Sequence, residues 1–213
     1  MKKTKIAFLL LPILLLSSCA NNPLPKAAPE GLFGIDANIN HETIDKYLDR
    51  SDCVYRDVRL LEDPADYEAI GGDRFLSGFV RGFEVAPLPY FIPLAGMLPP
   101  QIGESYTGPT LFKIVNDQYI ANYKESLDIL KYLFPQDKNV LLMCGGAGYA
   151  GMTRDLLIAL GWNEDTVYNV GGYWYYEGVN KVEVKRVDEN DNVVYDFYKV
   201  AYHDIDFSSL NAV

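Results

Sequence analysis

The chain has 213 residues, with 19 Lys and Arg against 29 Asp and Glu, a formal charge of −10, two His and three Cys. That length suits one domain with insertions and suffices to bury a substantial core, and 49% apolar with 23% charged residues excludes wholesale disorder. The acidic balance, with no Lys/Arg-rich run, excludes recognition of nucleic acid through its phosphates. With no CxxC and no HExxH, the few His and Cys do not make a zinc module, so neither a metal nor a cofactor is expected.

At the N-terminus, Lys2, Lys3 and Lys5 precede an apolar stretch, 6–16, of eleven residues that includes Pro12. A spanning helix needs about 20 apolar residues, so this reads as the core of a signal peptide over 1–18. Leu16-Ser17-Ser18-Cys19 resembles the lipobox of bacterial lipoproteins. The resemblance implies cleavage before Cys19, its lipidation, and a mature chain held to a membrane of the bacterial cell envelope, facing outside the cytoplasm. Residues 19–30, rich in Pro and polar groups, are then expected to be a flexible tether. Three lysines leave with the signal, so 16 basic residues face 29 acidic ones and the charge falls to −13.

Further along, Asn40 is placed to cap a helix over 41–50, and Cys53-Val54-Tyr55-Arg56-Asp57-Val58 reads as a core strand. A short helix is expected over 64–70 and a short strand over 80–86. Six of the twelve prolines fall within 87–109 (Pro87, Pro89, Pro93, Pro99, Pro100 and Pro109) among Leu, Ile, Phe and Tyr. This predicts an irregular excursion packed on the domain. A helix is expected over 119–134, ended by Pro135. Val140-Leu141-Leu142-Met143 has the continuous apolar character of a strand buried on both faces. A helix over 152–160 ended by Gly161 and a strand over 166–170 follow. Strands 182–187 and 193–203 around a polar turn complete a C-terminal hairpin. The alternation predicts an α/β fold: a central, mostly parallel sheet flanked by helices, with a Pro-rich insertion and an added β-hairpin.

Chemistry concentrates after the central strand, where α/β proteins place it. Cys144 opens the loop Gly145-Gly146-Ala147-Gly148-Tyr149 before the next helix. Backbone amides of such a loop, with the positive end of a helix dipole, are expected to lower the pKa of Cys144 and make it partly thiolate. Gly146 to Gly151 also spells GxGxxG, but the next strand ends Asn169-Val170-Gly171-Gly172 without the acid a dinucleotide ribose requires. Cys53 reads as a packed thiol. It is a poor redox partner for Cys144, because it starts its strand while Cys144 ends a parallel one. His41 and His203 have no partner at ligand or triad spacing. Arg81 and Arg154 read as surface residues, and Tyr173-Trp174-Tyr175-Tyr176 as packing.

Several segments in this order resemble a rhodanese-like domain over about 38–178. Tyr55-Arg56-Asp57-Val58-Arg59 is similar to the family's first core strand, and Gly78 to Pro87 resembles its Gly-His-Ile-Pro-Gly-Ala segment. Cys144 falls where the persulfide-forming cysteine belongs, Leu160-Gly161-Trp162 where the following helix ends, and Val170-Gly171-Gly172 where the closing strand does. The resemblance implies a rhodanese-like domain at 31–180, with the insertion at about 87–118 and the hairpin extension at 181–213. It also implies that Cys144 carries sulfur from a small donor to a thiol acceptor, that the 145–149 loop binds substrate, and that Asp57 and Arg59 brace the site. Phe79 stands for the family's usual His, Ala147 for a Gly and Tyr149 for a frequent Arg, so the loop is neutral and thiosulfate is disfavoured as donor. Phosphatase relatives use a Cys-x5-Arg loop, and Ala150 stands where that Arg would be. A second reading is an interaction module on the same scaffold, with a protein partner at the Pro-rich insertion or the hairpin.

Overall fold

A computed structural model describes residues 22–60, 78–94, 106–196 and 200–213. Cys19 with its signal, the helix expected over 64–70 and the middle of the Pro-rich insertion lie outside these residues. Four parallel strands form the central sheet: β1 (Cys53–Asp57), β3 (Glu84–Val85), β6 (Asn139–Cys144) and β7 (Val167–Gly172), in the order β3-β1-β6-β7. β2 (Phe79–Val80) lies outside it, paired antiparallel with β8 (Lys181–Val182). The expected α/β architecture with a parallel sheet is therefore present.

β6 is central because nearly every residue in it is apolar. Its side chains alternate between two cores, as a strand's must. Val140, Leu142 and Cys144 face one cluster with Leu130, Phe134, Leu156 and Leu157; Leu141 and Met143 face another with Ile39, Tyr55, Tyr168 and Tyr173. The first cluster is covered by α1 (Leu88–Phe91), α2 (Ser126–Leu133) and α3 (Gly148–Ala159). The second is covered by irregular chain from 24 to 48 and by the turn Tyr173–Tyr175.

Both sheet edges are closed by single bridges. Ile35 pairs parallel to Asn169 on β7, and Tyr202 pairs parallel to Val85 on β3. Val85 N–H donates to the Ala201 carbonyl and His203 N–H to the Val85 carbonyl, both at 2.8 Å, so the C-terminal arm extends the sheet by one short strand. Exposed edges invite pairing with other chains, and these two are occupied.

Several expectations are corrected. Residues 22–30 are no loose tether: Ala27 N–H donates to the Asp165 carbonyl, Tyr168 Oη–H donates to the Pro25 carbonyl, and Leu24 packs on the second core. Between Thr43 and Tyr47 there is only one 3-10 turn, Ile44–Lys46, although Asn40 does accept from Glu42 N–H at its start. The strand expected over 80–86 is split by a turn with Gly82 at φ +91°. The helix expected over 119–134 covers only α2; ahead of it lies the hairpin β4 (Phe112–Val115) and β5 (Gln118–Ala121). Its turn residues Asn116 and Asp117 both have positive φ, 50° and 60°, the two-residue geometry whose twist matches paired strands. At the C-terminus, β9 (Val184–Val187) pairs with β10 (Val193–Asp196), and residues 201–203 belong to the sheet edge instead of continuing that strand.

Candidate functional site

Cys144 ends β6, and the chain turns through Gly145, Gly146 and Ala147 into α3, so the loop sits at the carboxyl end of the parallel sheet. Alternation along β6 turns the Cys144 side chain inward, and the residue is only 3% exposed. The lowered pKa expected for it is corrected: burial is the largest influence and pushes the thiol up. The amides of Ala150 and Tyr149, in the first turn of α3, act the other way and favour the charged sulfur, as does Arg59, while Asp57 opposes them. The amide cradle exists, then, but the sulfur beneath it is a neutral thiol at rest.

The glycines of the loop make room more than they supply unusual backbone. The only loop residue with positive φ is Ala147, at +76°. Gly145 and Gly146 lie under the indole of Trp174; a Cβ would stand 2.7 Å from the ring at Gly145 and 3.1 Å at Gly146. Trp174 N–H also donates to the Gly145 carbonyl at 3.1 Å. Tyr149 is half-buried, and burial raises its pKa.

Asp57 and Arg59 meet as expected. Arg59 Nε donates to both carboxylate oxygens at 2.9 Å and Nη2 to Oδ2 at 2.5 Å, with both residues buried. Nη2 also donates to the Gly78 carbonyl at 2.8 Å, and the guanidinium lies 4.9 Å from the Phe79 ring centroid and 5.0 Å from that of Tyr173. A bidentate pair held between aromatic faces is a rigid brace at the end of β1. Phe79 thus packs on this cation.

Cys53 is not brought to the site. It pairs with Asn139 at the opposite end of β6, and both Cys53 and Cys144 are free thiols. Burial, then the Asp52 carboxylate, pushes the Cys53 pKa up to about 11. Arg154 donates to the carbonyls of Val167 and Glu164, and Arg81 donates to the Asn180 side chain. His203 Nε2 lies 2.8 Å from Glu84 Oε2, and Glu84 also pairs with Arg56 at 2.9 Å. Among the described residues, no group of three His, Cys, Asp or Glu could hold a metal, and no helix is long and apolar enough to cross a membrane.

Two site residues escaped the sequence reading. Trp174, taken there as packing, covers the loop. Asn169 is wholly buried and hydrogen-bonds to the Ala147 carbonyl; a lone carboxamide inside Val167-Tyr168-Asn169-Val170 was the available signal, since a buried polar group needs partners. Comparison with protein-family models, with curated proteins and with solved structures finds no match to this chain.

Proposed function

We propose that this protein is a rhodanese-like sulfurtransferase of the bacterial cell envelope, lipid-anchored through Cys19, which carries sulfane sulfur on Cys144. The observation that carries the reading is the placement of Cys144 at the carboxyl end of the central parallel strand, where the Tyr149 and Ala150 amides favour its charged form. Deprotonated Cys144 attacks the outer sulfur of a donor R–S–S⁻; a new S–S bond forms, the donor's S–S bond breaks, and its electron pair leaves with RS⁻. An acceptor thiolate then takes the outer sulfur from the Cys144 persulfide, and Cys144 departs as thiolate. Charge and oxidation state balance in both halves, and the amides hold the anionic sulfur. The neutral loop disfavours the dianion thiosulfate, so the donor in this scheme is a singly charged persulfide.

A donor panel tests this, with intact-mass detection on the full chain in detergent. A gain of one sulfur on Cys144, absent in Cys144→Ser, is expected; no adduct from thiosulfate, mercaptopyruvate or polysulfide sinks it. The burial of Cys144 favours a second reading, a binding module that keeps the scaffold without the transfer. Under that reading no adduct forms, yet a partner is captured equally by Cys144→Ser and lost when residues 95–105, outside the buried α1, are deleted. The anchor is tested separately by incorporation of labelled fatty acid, which should vanish in Cys19→Ala.

A further inference from the structure

The Asn169 carboxamide joins three segments distant in sequence. Nδ2 donates to the Phe33 carbonyl in the N-terminal strap, residues 22–40, at 2.8 Å and to the Ala147 carbonyl in the cysteine loop at 3.2 Å. Oδ1 accepts from Gly171 N–H at 3.0 Å. A wholly buried Asn that satisfies both donor hydrogens and an acceptor has one orientation available. The strap is pinned to the same residue through the main chain, because Asp36 N–H donates to the Asn169 carbonyl at 2.8 Å.

Ala147 is the residue on which this matters. It precedes α3 with φ +76°, a backbone region that costs roughly 1–2 kcal/mol for a non-glycine residue and persists only where its surroundings hold it. Its carbonyl accepts Gly151 N–H at 3.0 Å, the opening bond of α3, together with the Asn169 donor. The direction of that carbonyl sets the first turn of α3, which carries the Tyr149 and Ala150 amides. The packing is tight: a Cβ at Gly151 would lie 2.4 Å from the Phe33 carbonyl oxygen and 3.3 Å from Asn169 Nδ2.

Resting on the reading of Cys144 as the sulfur carrier, we propose that Asn169 is a positioning residue for it. By fixing the Ala147 carbonyl against the strap, Asn169 aims the first turn of α3 at the Cys144 sulfur. The strap is thereby a structural part of the cysteine loop.

The full chain labelled with [3-13C]cysteine tests this. The Cys144 Cβ signal, assigned by its loss in Cys144→Ser, is followed through a pH titration without any donor present. Asn169→Ala should move the Cys144 midpoint to higher pH, and Asn169→Ser, which keeps one donor hydrogen, should move it less. Ile44→Ala, a cavity in the second core on the other face of the sheet, should lower Tm yet leave the midpoint in place. An unchanged midpoint in Asn169→Ala, or an equal move in Ile44→Ala, overturns the proposal. So does failure of both Asn169 variants to fold, which would make the residue purely structural. Because the signal reports Cys144 alone, a wild type that takes sulfur from no donor would refute the transfer reading and leave this result standing.

Discussion

The indole of Trp174 occupies the space a side chain at Gly145 would need: a Cβ there would stand 2.7 Å from ring atoms Cε2 and Cζ2. Trp174 is 39% exposed, so its ring has solvent to move into, whereas the backbone of Gly145 is fixed by β6 and by the bond from Trp174 N–H. Gly145→Ala should therefore unseat the indole, at a cost of about 1–3 kcal/mol. The check is tryptophan emission, which should shift to the red. Trp162, buried with Nε1–H donating to the Phe134 carbonyl at 2.7 Å, supplies a constant background. An unshifted spectrum would mean that the indole does not cover the loop.

The Asp57–Arg59 pair is the larger structural commitment. Each partner is buried, so removing one leaves an uncompensated charge in the interior. Asp57→Ala and Arg59→Ala should each lose about 3–5 kcal/mol of unfolding free energy in urea. The double variant should lose less than their sum, since the second removal takes away the charge the first left stranded. Additive losses would mean that each residue acts through its other contacts and not through the pair.

What the sequence made legible follows from how locally each element is determined. β6 was readable from the uninterrupted apolar run Val140-Leu141-Leu142-Met143, β1 and β7 from short β-prone runs, and the body of α3 from apolar residues ended by Gly161. The pairing of Asp57 with Arg59 was readable because opposite charges two residues apart at a strand end lie on one face. β5 was misread as helix because Ile120 falls at helical spacing with Leu127, Leu130 and Phe134; the Asn116-Asp117 turn was the overlooked evidence. The first part of the strap, 22–30, was misread because prolines suggest a solvated tether, whereas here Pro25 offers a carbonyl to Tyr168 and Ala27 N–H donates to the Asp165 carbonyl. The raised pKa of Cys144 follows from the two-sided burial of β6, which outweighs the amides of the loop.

Ala147 and Ala150 are both wholly buried alanines three residues apart, yet replacement by glycine should affect them differently. Either change removes a buried methyl, about 0.8 kcal/mol. At Ala150, inside α3, the glycine adds a helix penalty of about 1 kcal/mol, for a loss near 2 kcal/mol. At Ala147 relief of the left-handed backbone offsets the lost methyl, and the variant should lie within about 1 kcal/mol of the wild type. Urea unfolding of the two variants side by side checks this, and equal losses would remove the strain ascribed to Ala147.

Under the proposed transfer, burial of Cys144 sets the pH course of sulfur loading. With its thiol pushed up, only the small deprotonated fraction reacts at neutral pH, and that fraction grows about tenfold per pH unit below the midpoint. The rate of persulfide formation from a polysulfide donor held at constant composition should therefore climb steadily from pH 7 to 8.5. A rate that levels off near pH 7 would require the low-pKa thiolate that the buried geometry opposes.

Cys53 gives the alkaline side of the stability profile. In the unfolded chain its thiol titrates near 9.0, and in the folded protein burial and then the Asp52 carboxylate push it up to about 11. The folded state therefore holds the proton more tightly. The stability this contributes is complete below pH 9 and is lost as pH rises from 9 to about 11, at up to roughly 1.4 kcal/mol per pH unit. Cys53→Ala has no such proton to hold. The gap in unfolding free energy between wild type and Cys53→Ala should stay constant up to pH 8.5 and shrink between pH 9 and 10.5. Tyr176, also pushed up by burial, weakens both proteins alike and cancels in the difference, whereas Tyr55 and Tyr168 are pushed up first by burial and in part by Cys53 itself. A gap that holds to pH 10.5 would place Cys53 in contact with solvent in the folded state.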